Sequence, residues 1–151
     1  MTVPPDFHVL DRPECDALLA SQQVGRLAFN FRNRVDIEPV HYVYANGHIY
    51  GRTQYGTKVD VLAHHPWIAF EVDEIKALFE WKSVVVHGRI EFPDPTGLPP
   101  EVARFTEAVK QVRRLIPSAF GAGDPTPARE LAFVIAVQEI SGRAATSGGT
   151  N

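Results

Sequence analysis

The sequence has a single cysteine, Cys15, among 151 residues. That count excludes a disulfide framework and any multi-cysteine zinc site. It also has no run of about 18 apolar residues, the length a membrane-spanning helix needs. The first residues, MTVPPDFHVLD, lack the basic start and apolar stretch of a secretory signal. Excess charge of one sign is missing too. With 15 basic and 18 acidic residues the net charge is -3, which argues against nucleic-acid binding through bulk charge. Six histidines are present, yet no H-E-x-x-H or His-x-His occurs. The adjacent His64 and His65 would point about 100° apart on a helix, a poor chelate. No metal site is expected. Ser21, Ser83 and Ser118 sit in no G-x-S-x-G context, and no G-x-x-x-x-G-K loop exists. What these absences leave is a cytoplasmic domain with no membrane or nucleic-acid partner.

What is present suffices for one core. Hydrophobic residues make up 44% of the chain, and a chain of this length buries roughly 68–70% of its unfolded surface. Asp11-Arg12-Pro13-Glu14 reads as a helix start, with an N-cap, a proline just inside and an acid at the third position. Ala17, Leu18 and Leu19 give that helix an apolar face. From Val24 the pattern changes to strands: Leu27, Phe29 and Phe31 alternate up to a turn at Arg32–Arg34. A second strand spans Val35 to Val43, and a third starts at His48 after Asn46-Gly47, a pair that tolerates the positive φ of a tight hairpin. Pro39 cannot donate to a ladder, so it marks an edge or a bulge.

The spacing further predicts a short helix over Thr57–His64, a strand over Trp67–Val72, a connection through DEIKALFEW and a strand over Ser83–Phe92. Val102, Phe105, Val109, Val112 and Ile116 recur at three- and four-residue intervals, which predicts an amphipathic helix over Glu101–Ile116. A last strand follows over Leu131–Ile140, and the small polar residues 143–151 read as a flexible tail. The fold expected is mainly β with flanking α-helices, a six-stranded antiparallel barrel within one domain, residues 1–142, with the helix at 99–116 as an insertion.

One segment looks chemical. Arg52-Thr53-Gln54-Tyr55-Gly56-Thr57-Lys58 leaves a strand and enters a helix, with two cations, two threonines and a glycine in seven residues. Helix N-termini present free N–H groups and a positive dipole end, which suit an anion. Gly56 permits close backbone approach, and Thr57 and Lys58 add a hydroxyl donor and a point charge. The carboxylates Glu71, Asp73 and Glu74 read as solvated strand-end groups, and Arg104, Lys110, Arg113 and Arg114 as the wet face of a helix.

The order of GRLAF (Gly25–Phe29), VDIEPVHYVY (Val35–Tyr44), GRTQYGTK (Gly51–Lys58), IAFEVDE (Ile68–Glu74) and WKSVVVHGR (Trp81–Arg89) resembles the pyridoxamine 5'-phosphate oxidase-like flavin-binding split barrels. The branch it is most similar to is the small bacterial one that includes nitroimidazole-resistance relatives. The resemblance implies a homodimer with FMN in a groove between subunits, and an oxidoreductase that moves a hydride between flavin N5 and a small organic molecule. A deazaflavin, FAD or haem is the alternative cofactor, and a flavin-binding module without turnover the alternative role. By the same resemblance Arg52 and Thr53 lie beside the isoalloxazine or ribityl chain, with Thr57 and Lys58 on the phosphate. Pro39, Val40 and His41 lie along the ring, and Trp81 and Ser83 begin a strand that approaches the cofactor, often from the partner subunit. His41 is the candidate catalytic group, as a donor to flavin or to a substrate carbonyl. The chain departs from the vitamin oxidases in having no histidine after His87, where their Arg-x-His-type substrate motif would lie, so vitamin oxidation is not expected.

Overall fold

The computed structural model describes residues 3–148. In chain order the elements are β1 (Asp6–Leu10), α1 (Arg12–Ser21), β2 (Val24–Phe31), β3 (Arg34–His41), β4 (Val43–Ala45) and β5 (His48–Thr53). They continue with α2 (Thr57–His64), β6 (Trp67–Ala77), β7 (Glu80–Glu91), α3 (Pro99–Val112) and β8 (Leu131–Thr146). All strand pairings are antiparallel, in the order β3-β2-β6-β7-β8-β5-β4, with β1 added on β8. The sheet therefore has eight strands, where six were expected. Two differences account for the count.

The first is β1, whose residues are exposed except Leu10. A strand without a buried face leaves no alternation to read. The second lies at Tyr42, which interrupts the expected single strand and separates β3 from β4. Its N–H donates to the Gln23 carbonyl at 3.0 Å. Its side chain turns into the core, where the hydroxyl donates to the Leu19 carbonyl at 2.6 Å and the ring meets Phe70 edge-on at 5.0 Å. Because β3 and β4 are the two ends of the strand order yet adjoin in sequence, the sheet curls into a ring whose ladder is open at this one seam. That is the split of the barrel.

Local chemistry explains the remaining elements. Asp11 accepts from the Glu14 N–H at 2.9 Å, and Glu14 accepts from the Asp11 N–H at 3.2 Å, so the expected capping box forms. Asn46 and Gly47 take φ of 53° and 72°, and Arg32 and Asn33 take 51° and 64°, which gives two tight hairpin turns. Pro39 sits on an outer strand, paired on one side only, with Arg26 opposite. The stretch expected to be a connection instead extends β6 and β7 into a long hairpin that turns at Leu78–Phe79. The expected flexible tail is partly strand as well. Gly142 to Ala145 pair with both β1 and β7 and Thr146 with β1, so the expected boundary at 142 falls inside β8. Residues 149–151 lie outside the described ones.

The core fills the ring with Leu19, Leu27, Ile49, Phe70, Val72, Val84, Val86 and Ile135. Gly25 is required there, because a Cβ at that position would lie 2.1 Å from the Phe70 ring. A smaller cluster of Tyr50, Ala108, Ala132 and Val134 packs α3 onto β5 and β8 from outside. The helix ends at Val112, four residues before the expected Ile116, in turns over 113–115.

Candidate functional site

The segment from Arg52 to Lys58 links β5 to α2 and runs beside β3. Arg52 ends up inside. Its side chain is 4% exposed and donates to both oxygens of Asp124, at 2.5 and 2.7 Å, and to Thr126 Oγ1 at 2.7 Å. The guanidinium lies 5.2 Å from the centre of the Phe120 ring. Asp124 also accepts the N–H groups of Phe120 and Thr126, both at 2.9 Å. Those donors, the guanidinium foremost, hold its carboxyl well below the usual carboxylate range. The charge of Arg52 is thus paired with Asp124 and ties the 113–130 segment to β5. Its Nε is buried and has no partner among the described residues.

Lys58 takes the opposite course. Its ammonium donates to Glu38, which projects from the barrel side of β3 opposite Leu27. The two side chains are 26% and 33% exposed. Gly56 is the N-cap of α2 and offers no side chain to the free N–H groups of the first turn, unlike the closed capping box of α1. A Cβ at Gly56 would meet nothing within 4 Å, so the helix entrance is open. Thr57 is exposed and Thr53 half-buried at the end of β5. An uncapped helix start, a hydroxyl and an ammonium around open space fit a phosphate.

The structure brings His41 to the Arg52 end of this segment. His41 ends β3, is exposed, and lines a small cavity with Tyr42, Tyr50, Gly51 and Arg52. Pro39 is exposed and Val40 half-buried against the core. The cavity beside His41 opens on the α3 side, walled also by Val112, Leu115 and Arg129, so His41 shares it with Arg52, whereas Lys58 meets β3 only through Glu38.

Trp81 and Ser83 lie elsewhere. They are on β7, three strand spacings from β3, or roughly 14 Å. Their face is the outer one, shared with Ile75 and Asp73 of β6 and with Phe7 of β1, whose ring is 6.3 Å from that of Trp81. Val35, Ile37, Trp67, Ile75 and Phe7 are all exposed. At the middle of this face Arg26 lies 3.7 Å from Glu71 and 3.6 Å from Asp73, and Ser83 donates to Glu71 at 2.9 Å. Burial and the neighbouring Asp73 push the Glu71 carboxyl up. The acidic residues read as solvated are thus partly buried and networked.

Sequence reasoning missed Glu38 and Asp124, the partners of both cations. The alternation of β3 was a usable signal for Glu38, since position 38 falls on the side facing the barrel. Asp124 sits in a loop and had none.

The chain matches the model of the pyridoxamine 5'-phosphate oxidase family over residues 11–144. An uncharacterized protein of Rhizobium meliloti is 28% identical over 148 residues, 93% of this chain and 96% of that protein. An FAD-binding protein from Mesorhizobium loti superimposes with a TM-score of 0.72 at 26% identity, over 93% of this chain and 99% of that one. A Bacteroides thetaiotaomicron protein assigned to 5-nitroimidazole antibiotic resistance shares the fold, with a TM-score of 0.73 at 15% identity over 96% and 91% of the two chains. With a match that spans nearly every element from α1 to β8, the chain belongs to the pyridoxamine 5'-phosphate oxidase family.

Proposed function

We propose that this protein is a flavin-dependent oxidoreductase that works as a homodimer on a small organic molecule. The observation that carries the reading is the open, uncapped start of α2 beside Lys58, at the edge of the barrel seam. Thr57 and Lys58 hold the flavin phosphate there, and of the expected cofactors FMN and FAD the second is the one that the Mesorhizobium loti relative binds. Pro39 and Val40 lay strand backbone along the ring, and Thr53 bounds it from β5. His41, exposed at the end of β3, donates a hydrogen bond to the ring or to a substrate carbonyl. Once bound, a flavin supplies hydride transfer through N5, while the protein supplies orientation and electrostatics.

The outer sheet face supports a dimer. Exposed apolar patches of this extent mark interaction surfaces, and a second copy lying on it brings its own Trp81 and Ser83 toward the first copy's seam. Arg52 belongs to the supporting layer, since its charge is already paired with Asp124.

The test is what co-purifies. A yellow protein with flavin absorption, whose cofactor is identified by mass spectrometry, is the expected result. Lys58→Ala removes one charge-assisted contact of about 1.5–3 kcal/mol and weakens flavin binding on the order of 10- to 100-fold. A colourless protein that binds a deazaflavin and no flavin overturns the reading.

A further inference from the structure

We propose that the cavity under α3 is a binding site for the carboxylate of a small, largely apolar organic acid. This deepens the flavin reading above by naming its class of substrate, because His41 lines the same cavity. The carrying observation is Arg52 Nε, a buried donor with no partner among the described residues. The rest of that guanidinium is fixed. Both terminal nitrogens donate to Asp124, and one of them also to Thr126. Phe120 completes the clamp: its N–H donates to Asp124, and its φ of 63° is a conformation that bulky residues seldom adopt. Nε therefore stays on the edge of the rigid guanidinium away from Asp124, at a cavity that Arg52 itself lines.

A buried donor without a partner is costly. The cavity has a volume of about 10 Å³, room for one water-sized group such as a single carboxylate oxygen. A water there needs two to four polar partners, whereas the side chains of Val43, Val112, Leu115 and Ile116 in its wall offer none. An anionic oxygen needs only the donor and a positive charge close by. Asp124 already balances the charge of Arg52, so the surplus comes from Arg129. That residue is exposed, lines the same cavity and joins none of the ion pairs of the described residues. The acids nearby, Asp124 against Arg52 and Glu107 acting on Tyr50, both stand outside the lining. A carboxylate on Nε leaves the hydrocarbon part of its molecule against the apolar wall, beside His41.

The probes are benzoate and its uncharged relative benzamide, titrated at constant ionic strength into the isotope-labelled full chain while NMR follows the Arg52 Nε–H signal. Benzoate is expected to shift that signal saturably. Benzamide is expected to bind roughly tenfold more weakly, the difference between a charge-assisted and a neutral hydrogen bond. Arg129→Leu is expected to weaken benzoate by up to about fivefold, as for an exposed charge. Ile116→Trp, which fills the cavity, is expected to abolish the shift with unchanged far-UV circular dichroism. An Arg52 signal that contacts only water and ignores benzoate overturns the proposal. So does benzamide binding as tightly as benzoate in the wild type, or a shift that survives in folded Ile116→Trp. A benzoate shift in a protein that binds no flavin keeps the site and sinks the flavin reading. A flavin-loaded protein whose Arg52 signal ignores benzoate does the reverse.

Discussion

At the scale of single residues, two cations that look equivalent in sequence have different fates. Arg52 and Lys58 are six positions apart, and both were expected at the cofactor. The planar guanidinium matches a carboxylate with two parallel hydrogen bonds and tolerates burial, so Arg52 becomes the internal strut to Asp124. Lys58, a point charge on a flexible stem, stays at the rim against Glu38. Replacing Arg52 alone by Met leaves Asp124 buried with its charge unpaired. Urea denaturation is expected to show a larger stability loss for that variant than for Arg52→Met with Asp124→Leu together. The pair also carries a pH signature. The carboxyl of Asp124 is held below its unfolded value of about 3.9, so its stabilisation is complete above that value and drains away as the pH falls toward the folded one. The stability gap between wild type and Asp124→Asn should be constant near neutrality and narrow below about pH 4.

At the scale of elements, the parts with local chemical cause were legible. The capping box of α1 was readable in four residues, and Asp11→Ala is expected to cost about 1 kcal/mol of unfolding free energy in a denaturant titration. The Asn46-Gly47 turn, the edge position of Pro39 and the extent of α2 were readable for the same kind of reason: each depends on φ, a missing N–H or a short apolar spacing. The misses share a cause too. β1 and the tip of the β6–β7 hairpin have few buried side chains, and the end of β8 buries only the small Ala144 and Ala145, so all three are strands because of what they pair with. Pairing partners tens of residues away leave no local pattern. The candidate site divides along the same line: Lys58 and its loop were visible as a cluster, whereas Glu38 and Asp124 meet it only through the fold.

At the scale of the molecule, the proposed dimer rests on the outer sheet face. Val35 and Ile37 stand on its outermost strand, 77% and 65% exposed. Replacing both with Glu adds charge to the patch while burying nothing new in the monomer. Light scattering after gel filtration is expected to show a monomer with unchanged far-UV circular dichroism and much weakened flavin binding. A dimer that persists at full flavin affinity would place the interface on another surface.

β8 is the last strand in sequence, yet it pairs with β1, β5 and β7. A chain emerging from the ribosome can zip β2 to β3 and β6 to β7 early, but no ladder joins β5 to β7 until the first residues of β8, Leu131 to Ala136, have been made. From Val24 onward that wait is on the order of ten seconds at ordinary translation speed. Throughout it, the interior faces of half a barrel stand open to other chains. The hazardous moment for this protein is therefore its birth, and a slow tract of codons between α3 and β8 would lengthen it.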